Sequence, residues 1–574
     1  MVDPVTVEVI RNSSIYIAEE MGIILRNAAY SPNIRDRMDH SCAILLRSGE
    51  VIAQAEHIPV HLGSMAVGVK NTISYLKQIP IDLEEGDVIV LNDPYIAGTH
   101  LNDITVVKPL FYKGDIYGYV ANKAHHVDVG GMVPGSISGN ARELVQEGVV
   151  IPPMKLVRRG ELDVSVLNMI LSNVRVPRYT RGDLKAQIAA LNVGEKRLKE
   201  LIEKYGVETV LEAWDRAIDY TASYLRTKIE EIPSGSYKAE DYMEMDDKLI
   251  AIRTSIVVRS GSMIVDFTGT DKQVDMPINA VYGVTVAATS YAIKAALDPD
   301  LPMNYGFFKV VRIEAQEGTL VYPKKPAPVA AGNVETSQRI AETVLKALSI
   351  PLRGRIPAAS HGSMNNIMVG GIHEGRSWAF YETIGGGMGG RPGKDGVDGV
   401  HTHMTNTMNT PIEVIERECP ILFIEYSLRD DSGGPGQYRG GLGITRAFKI
   451  LSERAVLSIA TERVKLRPWG LEGGLEGASG NHYVVKAGSE VIKLGSKDTV
   501  ELERGDIVYI NTPGGGGYGR PELRDPELVL KDVLDGKISI ESAKNFYKVI
   551  IRRRRGSLVV DREETEKLRQ KSVV

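Results

Sequence analysis

Two short stretches carry residue types that could do chemistry, GTHLND at 98–103 and NKAHHVDVGG at 122–131. They gather His100, Asp103, His125, His126 and Asp128 in a chain with only 11 histidines among 574 residues. Two imidazoles and one carboxylate are a sufficient shell for a divalent metal that keeps positions open for water and substrate. The runs ITVVKPLFY and IYGYVANKA that lie between these ligands are strand-like and joined by a Lys-Gly-Asp turn. A three-residue turn centred on Gly114 sets Asp103 opposite His125, and paired residues on one face have Cβ atoms roughly 5 Å apart. His100 stands at the loop end of the same strand as Asp103. A two-residue turn would shift the register by one and set His126 opposite Asp103 instead. In either register one histidine of the doublet faces the ligands, and the other is free to support them or move a proton.

Other candidates carry less chemistry. In HIPVH the spacing of His57 and His61 would suit one helical face, but the proline between them argues for an extended or turning segment. His401 and His403, in HTH beside a glycine-rich loop, share one side of an extended strand and could hydrogen-bond a substrate. Neither GGGMGG nor PGGGGYG is a GxxxxGK[ST] phosphate loop, and G-x-S-x-G is absent. Cys42 lies in an apolar strand pattern and is expected to be buried rather than nucleophilic.

The elements that must position these groups follow from spacing. Asp3 before Pro4 reads as an N-cap with proline at the first helical position, opening a long helix whose stripe includes Val9, Ile17, Met21 and Leu25. HSCAILLRSGEVIAQ reads as a hairpin turning at Ser48-Gly49, and GSMAVGVKNTISYLKQ as a helix. Helices are expected over 183–204 and 207–231, then strands from about 235 to 320 and again from about 436 to 511, with a helix at TSQRIAETVLKALS. The stretch IGGGMGGRPGKDGVDG is too glycine-rich for a regular element and implies a loop or a close approach of backbones. The fold expected is a multi-domain α+β chain with mixed and antiparallel sheets. Its expected parts are an N-terminal metal-binding region, 1–232, a β-rich region, 233–520, and a C-terminal helical tail, 521–574.

Composition narrows the function. A net charge of −4 gives no basic face for nucleic acid, and the one dense basic run, IRRRRG at 551–556, reads as a solvated face or subunit contact. No apolar run reaches membrane-spanning length. Two cysteines exclude a disulfide framework, and the first residues lack the parts of a signal peptide, so a cytoplasmic location is expected.

The segments SPNIRDRMDHSCAI, AEHIPVHLGSM, NDPYIAGTHLNDITVVKP, NKAHHVDVGG, QEGVVIPP, RGDLKAQIAAL, VDFTGTD, NNIMVGG, THMTNTMNTPIEVIE and TPGGGGYG, in this order, resemble the hydantoinase B/5-oxoprolinase family over roughly residues 3–520. That family includes N-methylhydantoinase B subunits, 5-oxoprolinases, lactam hydrolases and the α subunits of acetone and acetophenone carboxylases. The resemblance implies a metal held by His100, Asp103 and His125, with Asp39 of RMDHS completing the shell in some members. Zinc, manganese or iron would suit those ligands. It also implies a hydantoinase A-like partner that carries the ATP site, in a hetero-oligomer with more than one copy of each subunit.

The implied activity is ATP-dependent hydrolysis of a cyclic amide. The partner phosphorylates the amide oxygen, and a hydroxide on the metal attacks the activated carbon, with His126 or Asp128 moving the proton. Two other expectations remain: the α subunit of a ketone carboxylase, and a non-catalytic assembly subunit. A mononuclear iron oxygenase would use the same ligand types but would need oxygen and no ATPase.

Overall fold

The structure is a computed structural model that describes residues 2–55 and 57–571. Its N-terminal part is built on a seven-stranded sheet in which every neighbouring pair is antiparallel. The strands are β1 (His40–Leu46), β2 (Val51–Gln54), β3 (Val88–Leu91), β4 (Asp103–Tyr112), β5 (Asp115–His125), β6 (Met154–Arg158) and β7 (Glu161–Leu162). Their order across the sheet is β2-β1-β5-β4-β3-β6-β7.

Both faces of this sheet are buried, so its central strands are buried along most of their length rather than alternating between core and solvent. On one face Cys42, Ile44, Val120 and Ala124 pack with Met21 and Leu25 of the helix Pro4–Ala28 and with Leu184 and Leu191 of the helix Pro177–Tyr205. On the other, Ala43, Leu45, Val107, Tyr119 and Ala121 pack with Met65, Val69 and Ile73 of the helix Pro59–Leu76. The expected N-cap is present: the Asp3 carboxylate accepts the amide hydrogens of Val5 and Thr6.

The β4–β5 hairpin differs from expectation in an instructive way. Tyr112 pairs with Asp115, so the turn is the two-residue Lys113-Gly114, both at positive φ (51° and 90°) as a type I′ turn requires. Unbroken, that register would not face Asp103 with His125. Tyr117 is left unpaired as a bulge between the Leu110–Gly118 and Phe111–Ile116 pairs, and the extra residue sets Asp103 opposite His125.

The remainder is built on smaller sheets. Gly235–Met245, Lys248–Arg259, Ser262–Asp266 and Val311–Glu314 form one, whose last pair is parallel. Asn366–His373, Arg376–Glu382, Arg454–Ala460 and Lys497–Glu503 form another, and five strands between Ile421 and Asn511 a third. One apolar core runs from Ile10 through Leu348 to Ala460, and a second spans Ile367 to Ile510. Buried charges also tie these parts together: Arg463 reaches Asp241 at 2.7 Å and Glu342 at 2.6 Å, and Arg339 reaches Glu342 at 2.9 Å. The last stretch pairs short helices with the hairpin Ile551–Arg554 and Ser557–Val560, where Arg552 and Arg554 face Asp561.

The glycine-rich stretches are a close approach of backbones. The amide of Gly387 donates to the Pro513 carbonyl, Gly390 to Gly516, Gly434 to Gly515 and Gly515 to Gly441. Four separate segments thus interleave with no room for side chains. A Cβ on Gly387 would stand 1.9 Å from the Gly441 oxygen and 2.3 Å from the Gly515 nitrogen, both backbone atoms that cannot rotate aside. Gly387→Ala should therefore cost about 3 kcal/mol or more and lower the thermal unfolding midpoint. Gly488→Ala, where nothing lies within 4 Å, should change stability by less than about 0.5 kcal/mol. Equal midpoints for the two variants in a thermal melt would refute this packing.

Candidate metal centre

The bulge of β5 brings the ligand types to one point. His100 Nε2 lies 3.1 Å and His125 Nδ1 3.4 Å from Asp103 Oδ1, and the two imidazole nitrogens are 3.2 Å apart. One ligand atom from each residue lies within 4.8 Å of the others, and all three side chains are buried. Asp103 opens β4, His125 closes β5, and His100 sits on the short loop that follows the helical turn Pro94–Ala97.

Three features fit these atoms to a cation. Two imidazole nitrogens face each other, and only one of them can donate. Asp103 Oδ1 is buried without a hydrogen-bond donor aligned on it. The outer nitrogen of His100, Nδ1, lies 3.2 Å from the Ala330 carbonyl oxygen, which fixes its hydrogen there and leaves the Nε2 lone pair aimed inward. Burial alone would raise the Asp103 carboxyl, but the facing His100 and His61 imidazoles outweigh it and hold it well below the usual range. Burial lowers His125, with Asp103 and Asp39 opposing.

Asp103 and His125, together with His61, line a small cavity of about 20 Å³, room for an ion or one water, and His100 stands behind them. Asp39 lines it too, with Oδ2 at 3.9 Å from His125 Nδ1, outside the tight three-residue set. The opposite wall comes from distant sequence: Asn333, Val334, Met364, Tyr381, Thr383, Met404, Thr405 and Thr407.

His61, a weaker candidate in the sequence, stands at the centre, and Asn333 and Tyr381 join it from distant segments. His61 places Nε2 3.3 Å from Asp103 Oδ2, while its Nδ1 lies 3.0 Å from the Ser41 hydroxyl. The proline of HIPVH does not break a helix but begins one, as the first residue of Pro59–Leu76. This puts His61 in the first turn, aimed at the carboxylate; His57 instead meets Glu19 at 3.2 Å. Asn333, whose amide reaches Asp103 Oδ2 at 3.4 Å, belongs to a single π-helical turn, Gly332–Thr336, a local widening often found at functional sites. The Tyr381 ring stacks on His125 with centroids 4.4 Å apart.

The remaining expected residues stand elsewhere. Strand alternation sends His126 to the opposite face of the sheet, where Nε2 lies 3.0 Å from Gln187 Oε1. Asp128 organises a loop: it accepts the backbone amides of Gly130, Gly135 and Arg175 and pairs with the Arg175 guanidinium at 2.9 Å. The structure does not bring either residue to the cavity. His401 and His403 flank it without lining it; His403 Nε2 lies 3.8 Å from Glu342 Oε1, and burial pushes the His401 imidazole down to about 3.

Comparison with known proteins agrees in sequence and in shape. An uncharacterized protein of Methanocaldococcus jannaschii is 63% identical over 567 residues, covering 99% of this chain and 100% of that one. The 5-oxoprolinase 1 of Arabidopsis thaliana is 36% identical over 543 residues, which are 90% of this chain but only 42% of the plant protein. The ATP-dependent caprolactamase of Pseudomonas jessenii superposes with a TM-score of 0.92 at 27% identity, covering 99% of this chain and 100% of that one. Acetone carboxylase superposes with a TM-score of 0.94 at 19% identity over 100% of this chain and 83% of that one, a likeness of fold. No described helix is long and apolar enough to cross a membrane. The model of the hydantoinase B/oxoprolinase family matches residues 3–521, and the chain belongs to that family.

Proposed function

We propose that this chain is the catalytic B-type subunit of an ATP-dependent hydrolase of cyclic amides and works with an ATP-binding, hydantoinase A-like partner. The observation that carries the reading is the buried His100, Asp103 and His125 set, three metal-ligand atoms within 4.8 Å of one another. The named relatives support the substrate class, since 5-oxoproline and caprolactam are both cyclic amides. The need for a partner is supported by the plant relative, of which this chain matches 42%, and by the lack of a phosphate-loop motif here.

His100, Asp103 and His125 would hold a divalent ion, which would supply a nucleophile at neutral pH by lowering the pKa of water from 15.7 towards about 7. The chain's own residues do the rest. His100 is held in one tautomer by the Ala330 carbonyl, and the Asn333 amide steadies the second oxygen of Asp103. His61, poised between Ser41 and Asp103, is the imidazole placed to carry a proton at Nε2.

The α subunit of a ketone carboxylase is the second reading, favoured by the acetone carboxylase fold. The hydrolase reading comes first because the caprolactamase is also the nearer of the two in sequence, at 27% identity against 19%.

The test is to purify the chain with its partner, measure bound metal, and assay ATP hydrolysis with 5-oxoproline, hydantoin, caprolactam, or acetone plus bicarbonate. His100→Ala should lower metal occupancy and turnover together, by at least about 100-fold. Full turnover by a metal-free His100→Ala complex would sink the mechanism.

Glu147 gives a pH-dependent prediction from the same support. Its carboxyl accepts the amides of Val329 and Ala330 and so holds the peptide that orients His100. Burial pushes it up to about 8, against those two hydrogen bonds. An unfolded glutamate titrates near ~4.3, so the folded state holds this proton more tightly. Its stabilising contribution is complete below that pH and lost as pH rises towards about 8. Glu147→Gln keeps the acceptor oxygen without the titration. In denaturant unfolding, the stability of the variant relative to the parent should rise with pH across that window. A flat difference would show that Glu147 keeps an ordinary pKa.

A further inference from the structure

Arg37 is fully buried, yet among the described residues no carboxylate lies within the 4.0 Å of an ion pair. The other large buried guanidiniums, Arg339, Arg439, Arg446 and Arg463, each face one or more acids. Its Nη1 donates to Asn33 Oδ1 at 3.1 Å and to the Tyr381 carbonyl, and its Nη2 to the Thr383 hydroxyl at 2.8 Å and the Thr407 hydroxyl at 3.4 Å. Nε is buried with no acceptor. A buried guanidinium without a counter-ion costs several kcal/mol, so a fold that keeps one has a use for the charge.

The groups it reaches face the metal centre. Thr383, Thr405 and Thr407 line the same cavity as Asp103 and His125. Their hydroxyls form a cluster, Thr383 to Thr407 at 2.9 Å and Thr405 to Thr407 at 3.2 Å. A hydroxyl that accepts from a guanidinium is polarised, and its own hydrogen is left for another acceptor. The Arg37 guanidinium also lies over the Tyr381 ring, 4.9 Å from its centroid, and that ring stacks on His125. The three hydroxyls therefore line the cavity that Asp103 and His125 also line, and the Arg37 charge stands behind two of them, an arrangement suited to a tetrahedral oxyanion.

We propose that Arg37 and the hydroxyls of Thr383, Thr405 and Thr407 form a subsite for the phosphoryl group of the activated substrate, beside the metal centre. The proposal rests on the ATP-dependent reading above, in which the ligand arrives phosphorylated. The cavity admits one water, so the phosphoryl group enters only when a wall gives way. That wall is the strap Met404–Met408, one layer thick: Thr405 and Thr407 face inward while Asn406 and Met408 are exposed, Met408 by 53%.

The test titrates inorganic phosphate into the metal-loaded complex, with the partner's nucleotide site filled by a non-hydrolysable ATP analogue. Arg37→Gln and Thr405→Val should each weaken phosphate binding about tenfold or more, with metal content unchanged. If Arg37→Gln fails to fold, Thr405→Val decides. Unchanged phosphate affinity in the folded variants overturns the proposal, as does a loss confined to bicarbonate in a parallel titration, which would make the anion a carboxylate. Metal content separates this outcome from failure of the hydrolase reading, which would appear as turnover without metal.

Discussion

One unpaired residue, Tyr117, sets the register on which the candidate metal centre depends. Because side chains alternate along a strand, a slip of one position would send His125 to the face occupied by Gln187 and bring His126 towards Asp103's neighbours. The tight Lys113-Gly114 turn alone gives the wrong pairing, and the bulge corrects it a few residues from the turn. The bulge also increases local twist, and it lies at the far end of the hairpin from the ligands, where a kink does not disturb them. The ladder between the bulge and Asp103 is regular from Leu110 to Asp103, so the correction is carried rigidly to the site.

What was legible in the sequence is what local pattern encodes. The cluster of His100, Asp103 and His125 stood out because two short segments joined by a hairpin carry all three. Their meeting follows from antiparallel pairing, and the long N-terminal helix follows from its cap and stripe. The register at Asp103 was reached through a turn that the protein does not use; bulges leave no mark in composition. His61 was obscured by a proline that can end a helix or begin one, and only packing of Pro59–Leu76 on the sheet decides between them. His126 and Asp128 looked equivalent to their neighbours because sequence proximity does not distinguish the two faces of a strand.

The far wall was legible only within the family resemblance, where THMTNTMNTPIEVIE contains Thr405 and Thr407 without marking any chemistry. Asn333, Tyr381, Thr383, Thr405 and Thr407 lie more than two hundred residues beyond His125, in a π-helical turn, a strand end and an irregular segment without periodicity. Nothing local signals that they meet a metal centre. Long-range pairing brings them there, through the core that runs from Ile10 to Ala460 and the buried Arg463, Asp241 and Glu342 cluster.

The glycine layers explain how an irregular segment can serve as a precise wall. The strap that carries Thr405 and Thr407 begins where Gly386 and Val400 exchange backbone hydrogen bonds and the Gly399 amide donates to the Leu442 carbonyl. At its other end the Thr410 amide donates to Glu382, and the Asn409 side chain to the Thr383 carbonyl. Between these anchors the span is held by the threonine cluster, by Arg37 to the Thr407 hydroxyl, by the Met408 amide to the Arg37 carbonyl, by the Thr405 amide and the Gln338 side chain to the Thr402 carbonyl, and by the Thr402 hydroxyl near the His361 imidazole. Glycine-packed backbone thus fixes the start of this segment, Glu382 and the Thr383 carbonyl fix its end, and the antiparallel hairpin holds Asp103 and His125 in place.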